Sequence, residues 1–194
     1  MAGESAKPLR DPVSSGRARD EAVMRRLAEG DVGALDEILR EHWLAIVAYA
    51  TSFVRVRELG EDIAQDTMLR LWRTRELWQP NSTLRSYLYR IARNLALNEK
   101  ERSRVRARSR PRLAHGWAIP ATPLEELQRK ELRLAIEAAV DELPERRREV
   151  FLLGRLHGMS YEEIGQVMGI TTQTVANQMS AALATLRVSL AAHR

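Results

Sequence analysis

The 194-residue chain contains no cysteine, which excludes a disulfide framework and any thiolate metal site. Aromatic residues make up only 5% of it. No apolar run is long enough to span a bilayer. The opening, MAGESAKPLRDPVSSGRARD, is polar and carries two prolines, so no secretory leader is expected. The histidines, His42, His115, His157 and His193, are scattered without ligand spacing. Structural or surface roles are expected for them, and no metal. No nucleophile–base pair or phosphate loop stands out, so no catalysis, cofactor or small-molecule substrate is expected. What remains is a chain with 44% hydrophobic residues, enough for real cores, and a cytoplasmic location is the expectation.

Charge is modest in sum and uneven in placement. The formal net charge is +5. Residues 20–84 hold 8 basic and 12 acidic side chains, whereas residues 85–112 hold 10 basic and 2 acidic. Residues 113–194 are near balance, with 9 basic and 10 acidic. One cationic block in mid-chain is the footprint of phosphate contact or of a solubilising linker.

The pattern is helical almost throughout, so the expected class is all-α. Two small helical domains are expected, joined by a basic flexible linker, the second containing a helix-turn-helix. Residues 1–19 read as a flexible tail, 20–103 as a first domain, 104–123 as the linker and 124–194 as a second domain. In the first domain a short opening helix spans 23–28. Asp31 then caps a longer one with Leu35, Ile38, Leu39, Ile46, Val47, Ala50 and Phe53 on its buried stripe. A third helix spans 61–77 with Ala64, Met68, Leu71 and Trp72 inward. A fourth spans 84–103, with Leu84, Tyr87, Leu88, Ile91 and Leu95 inward and Arg93, Lys100 and Tyr89 among its polar and stacking groups.

The most informative stretch is 143–187, LPERRREVFLLGRLHGMSYEEIGQVMGITTQTVANQMSAALATLR. Ser160 and Glu163 have the spacing of a capping box. Ile164, Val167 and Met168 supply a buried stripe, and Gly169 ends that helix. Thr171 can cap the next one, on which Val175, Met179, Ala182, Leu183, Leu186 and Leu190 recur at helical spacing. Gln173, Asn177, Ser180, Ala181 and Ala184 then face outward, small and hydrogen-bonding, as a major groove requires.

Three ordered blocks, EDIAQDTMLRLW, TLRSYLYRIARNLALNEKER and LPERRREVFLLGRLHGMSYEEIGQVMGI, resemble the extracytoplasmic-function (ECF) sigma factors of bacterial RNA polymerase. The resemblance covers about residues 20–187. It implies a factor that binds core RNA polymerase, recognises a two-part promoter and assists melting, with the polymerase supplying the chemistry. It implies polymerase contact by Asp62, Gln65, Asp66, Leu69 and Trp72. It implies contact with promoter DNA, both single-stranded and duplex: single-stranded at the minus-ten element, by Asn81, Ser82, Thr83, Tyr87, Arg90, Asn94 and Asn98, and duplex at the minus-thirty-five element. Minus-thirty-five contact falls to Arg148, Arg155, Ser160, Tyr161, Thr172, Gln173, Asn177, Gln178 and Ser180. An anti-sigma factor is implied as a further partner. Ala176, Gln178 and Ala181 stand where relatives often carry cations, which implies weak nonspecific affinity. Two other readings stay open: a stand-alone helix-turn-helix regulator, and an enzyme using carboxylates such as Asp62 and Asp66.

Overall fold

The computed structural model describes residues 12–106 and 134–191. Among them every regular element is helical, and no helix is long and apolar enough to cross a membrane. The order is α1 (Pro12–Ala28), α2 (Val32–Val54), α3 (Arg57–Arg73), a 3₁₀ turn (Arg75–Leu77) and α4 (Leu84–Arg106). After the undescribed stretch come α5, described over 134–142, then α6 (Glu145–Arg155), α7 (Tyr161–Met168) and α8 (Thr172–Ala191). Most of the expected linker and the first residues of the expected second domain lie outside the described residues, as do residues 1–11.

The first half packs α2, α3 and α4 against one another. Ile38, Ile46, Tyr49 and Ala50 of α2 meet Ala64, Met68 and Leu71 of α3 and Leu84, Leu88 and Tyr89 of α4 in one buried cluster. Asp31 accepts a hydrogen bond from the Gly33 amide at 2.8 Å, which starts α2 as the sequence predicts. Arg55 ends it in the left-handed region at φ 60°. The α2–α3 corner is tight because a Cβ on Gly60 would collide with the Thr51 hydroxyl.

Two departures from the sequence reading have clear causes. The expected tail is helical from Pro12, because α1 is tied down from α2: Arg19 reaches Glu41 at 2.7 Å and Glu37 at 3.4 Å. Asp20 goes further and accepts the Leu84 amide at 2.8 Å, capping α4 from another helix. The second departure is that α4 runs to Arg106, into the range read as linker.

In the second half, Ala139, Val140, Leu143, Leu152, Ala182 and Leu186 form a core between α5, α6 and α8. The larger cluster continues across the junction, where Ala92 and Ala96 of α4 join Val150, Leu153, Met159 and Ile164. The halves therefore share apolar surface rather than merely a covalent link.

Candidate nucleic-acid interface

The helix-turn-helix is built by local chemistry. Ser160 Oγ accepts the Glu163 amide at 3.2 Å, and Glu163 accepts the Ser160 amide at 2.9 Å. This reciprocal capping box satisfies two free donors at the start of α7. Gly169 closes the helix in the left-handed region at φ 67°. Thr171 then accepts the Thr174 amide at 3.2 Å, capping α8. Ile164, Val167, Val175 and Met179 are buried between α7 and α8.

On α8, Gln173, Asn177 and Ser180 lie on one exposed face, with the Gln173 amide nitrogen donating to Asn177 Oδ1 at 3.1 Å. This pairing leaves the Gln173 carbonyl and the Asn177 amide group outward. Thr172 is exposed beside them. Gln178 does not share the face: it lies about 140° around the helix from Gln173 and is half-buried. Tyr161 and Arg155 are exposed, whereas Ser160 spends its hydroxyl on the cap. Arg148 is half-buried and donates to the Asp141 carbonyl at 3.0 Å. It anchors the α5–α6 corner rather than standing free.

On α4, Arg90, Asn94 and Asn98 recur every four residues and form one exposed row. Tyr87 is half-buried: its hydroxyl lies 3.0 Å from the Thr74 hydroxyl, and the Arg90 guanidinium sits 5.5 Å from its ring centre. In the preceding loop Asn81 is exposed, but Ser82 is only 8% exposed and faces the protein. Thr83 caps α4 by accepting the Ser86 amide at 3.1 Å, and it donates to Glu163 at 3.2 Å. Tyr89, read from sequence as stacking surface, is fully buried against Tyr49, with ring centres 4.9 Å apart.

On α3, Asp62, Gln65, Asp66 and Leu69 are exposed on neighbouring turns, and neither aspartate pairs with a cation among the described residues. Leu69 is 44% exposed, an apolar group amid polar ones. Trp72 is half-buried beneath the Arg75 guanidinium, 4.5 Å from its ring centre. No group of three or more histidine or acidic side chains among the described residues is placed to hold a metal.

Sequence reasoning missed a set of contacts between the halves. Glu149, only 4% exposed, receives Arg93 Nε at 2.6 Å, Arg93 Nη2 at 3.2 Å and the Tyr49 hydroxyl at 2.9 Å. Burial, and then the Glu149 charge, push the Tyr49 hydroxyl well above its ordinary pKa, which keeps it a donor. His157 Nδ1 lies 2.9 Å from the Tyr89 hydroxyl. Burial, with the Arg85 charge second, lowers the His157 pKa to about 4, so the imidazole is neutral at pH 7. The partners are separated by 56 to 100 positions, so no local pattern announces them.

Known proteins resemble this arrangement. Residues 38–107 match the family model for Sigma-70 region 2, and residues 133–186 match that for Sigma-70, region 4. Over 173 residues the chain is 31% identical to the ECF RNA polymerase sigma factor SigE of Mycolicibacterium smegmatis, covering 86% of this chain and 66% of that protein. The sigma factor RpoE of Bartonella quintana, solved in complex with the anti-sigma factor NepR, superimposes with a TM-score of 0.63 at 25% identity, over 82% of this chain and 98% of that one. CnrH, solved in complex with the cytosolic domain of CnrY, shares the fold with a TM-score of 0.67 at 24% identity, over 90% of this chain and 99% of that one. With both sigma regions present in order on one helical chain, this protein belongs to the ECF sigma factors of RNA polymerase.

Proposed function

We propose that this chain, acting in the cytoplasm, docks on core RNA polymerase through α3, holds the minus-ten element on α4 and its preceding loop, and reads the minus-thirty-five element with α8. The observation that carries this reading is the presence of three separate exposed faces on a single chain. Asp62, Gln65, Asp66 and Leu69 form the first, Arg90, Asn94 and Asn98 the second, and Gln173, Asn177 and Ser180 the third.

Each face has chemistry suited to its partner. The α3 face offers unpaired carboxylates around an exposed leucine, a combination that favours a basic protein surface with an apolar pocket. The α4 row offers a cation for the backbone and amides for base edges, and an exposed Asn81 lies in the loop before it. Single-stranded DNA is held by such mixtures. On α8, Asn177 retains an amide donor and Gln173 a carbonyl acceptor, which match the N7 acceptor and N6 donor of adenine in a major groove. Ser82 is buried, Thr83 spends its hydroxyl on the α4 cap and Gln178 lies off the α8 face, so the burden of recognition falls on their neighbours. The chain itself supplies binding and positioning; phosphodiester chemistry belongs to the polymerase. An anti-sigma protein that covers the α3 or α4 face would hold the factor inactive, in line with the complexes known for its structural relatives.

Replacing Leu69 with the photocrosslinker benzoylphenylalanine tests the α3 assignment directly. Irradiation with core polymerase should yield one crosslinked polymerase subunit. Crosslinks to DNA instead, or to no polymerase subunit, would refute it.

A further inference from the structure

The stretch between α3 and α4 is pinned at both ends. At its start the Thr74 hydroxyl donates to the Arg70 carbonyl at 2.8 Å, so the Tyr87 hydroxyl, 3.0 Å away, must donate to Thr74. That bond ties the end of α3 to the first turn of α4. Trp78 then packs on the core cluster that Val23, Met24 and Leu27 of α1 help to build. At the far end Thr83 spends its hydroxyl oxygen on the Ser86 amide. The Leu84 amide is left over, as the first amides of any helix are, and Leu84 is only 2% exposed. Asp20 of α1, 64 positions earlier, supplies its acceptor at 2.8 Å. Between the two pins stands Asn81, exposed.

We propose that Asp20 is a positioning residue for promoter recognition: its carboxylate fixes the end of the loop before α4, so that Asn81 meets an unstacked base in one orientation. The inference rests on the reading of this loop and α4 as the seat of the minus-ten element. Asp20 touches no DNA in this account. It acts through the Leu84 backbone, and α1 becomes part of the reading apparatus rather than a leader to it.

Three features fit Asp20 for that task. Its carboxylate is half-buried in a small recess lined by Val23, Ile38, His42 and Leu84. Burial raises the Asp20 pKa, and the Leu84 hydrogen bond is the first influence opposing that rise. Donor and acceptor therefore need each other, since either one left without its partner there would carry an unmet desolvation cost. Second, an anionic group at a helix start is favoured by the helix dipole, which adds to the hold on α4. Third, α1 is braced against α2 on both sides of Asp20. Arg19 engages Glu37 and Glu41, and Arg26 engages Asp31 and Glu37. The pin thus has a fixed base. An amide discriminates among bases only when its donor and acceptor are held in place. A loop end released from Leu84 onward lets Asn81 meet several bases equally well.

The test uses the full chain assembled with core polymerase. A single-stranded DNA pool of random sequence yields the oligonucleotide that the wild type prefers, and that oligonucleotide and its single-base variants then serve as probes. Asp20→Ala should shrink the ratio of affinities between the preferred oligonucleotide and its variants about fivefold, the size of a lost helix cap. Affinity for core polymerase should not change. Asp20→Asn, which keeps an acceptor oxygen, should restore the ratio. Amide exchange followed by mass spectrometry should quicken in Asp20→Ala on peptides covering 79–86 and stay as it was on those covering α3. Asp20→Ser, polar but one bond too short to reach the amide, carries the same comparison if the alanine variant does not fold. Full discrimination in Asp20→Ala, an equal loss of polymerase binding, or no rescue by asparagine would overturn the inference. Asn81→Ala reads the loop by itself. If it flattens discrimination while Asp20→Ala does not, only the role of Asp20 fails. If it changes nothing, or if the pool yields no preferred sequence, the minus-ten reading of this loop fails and the inference with it.

Discussion

Gly165 of α7 packs directly beneath the carbonyl of Ile170, so closely that a Cβ at 165 would stand 2.7 Å from that oxygen. The same carbonyl end of the turn is fixed by the Ile170 amide, which donates to the Gly165 carbonyl at 3.1 Å. Backbone blocks backbone here, and neither can swing aside as a side chain would. Gly165→Ala should therefore destabilise the second half by about 1–3 kcal/mol, the usual cost of forcing extra atoms into a filled site. Chemical denaturation of the purified variant would read the loss. An unchanged midpoint would mean that the α7–α8 turn is looser than described.

Asp66→Arg should weaken binding to core polymerase at least about tenfold, roughly 1.4 kcal/mol, with no loss of fold. Asp66 is exposed and makes no ion pair among the described residues, so its removal costs the free chain nothing. Calorimetric titration against core polymerase would measure the affinity, and circular dichroism would check the fold. Equal affinity would remove Asp66 from the docking face.

Asn94→Ala should impair promoter opening more than closed-complex formation. Asn94 stands between Arg90 and Asn98 on the exposed row of α4, where a base leaving the stack has an amide to meet. Permanganate footprinting would report the melted region. A pre-melted template should relieve the defect; failure to relieve it would assign Asn94 to some other step.

The α8 face separates two kinds of contact. Ala176→Lys should raise affinity for all duplexes alike, because phosphate contacts carry little sequence information. Asn177→Ala should narrow the gap between specific and nonspecific sites by roughly 1–3 kcal/mol, and should free Gln173 from its hydrogen bond. Competition binding at several salt concentrations distinguishes the two. Equal loss on every sequence in Asn177→Ala would make Asn177 a backbone contact.

The His157 imidazole gives a pH-dependent readout of its packing against Tyr49 and Tyr89. Packed against Tyr49 and Tyr89 and near Arg85, it holds its proton only below about 4, against an ordinary 6.5, with burial the main cause. A group that binds its proton more weakly when packed opposes packing as acidity rises. Its contribution is therefore complete above pH 6.5 and is lost progressively as the pH falls toward 4. NMR titration of His157 should give a midpoint near 4 in the wild type. In the chain unfolded by denaturant the midpoint should move up toward 6.5. Identical midpoints would show that packing does not govern this histidine.

The parts of this molecule that were legible in the sequence are those made by local chemistry. The capping box of Ser160 and Glu163, the left-handed Gly169, the Thr171 cap and the apolar stripe of α8 are all specified within a few residues, and the structure contains each of them. The exposed α3 face was legible for the same reason, since helical spacing alone sets Asp62, Gln65, Asp66 and Leu69 apart from Ala64, Met68 and Leu71. What was not legible depends on distant partners. Pro12 to Ala18 reads as tail until Arg19 meets Glu37 and Glu41. Tyr89 reads as a stacking group until Tyr49 and His157 enclose it. Arg93 reads as a DNA cation, and only the fold brings Glu149 to it. Ser82 sits in a polar loop, and nothing in its neighbours signals that it turns inward.

Reconstitution with core RNA polymerase tests the central claim most directly. The purified full chain, mixed with core enzyme and passed over a sizing column, should co-elute with it in equal proportion. The assembled complex should then start transcripts at a discrete position on a promoter that core enzyme alone ignores. Tight, sequence-specific binding of duplex DNA by the free chain, with no co-elution and no directed initiation, would contradict this account and favour a regulator that works without polymerase.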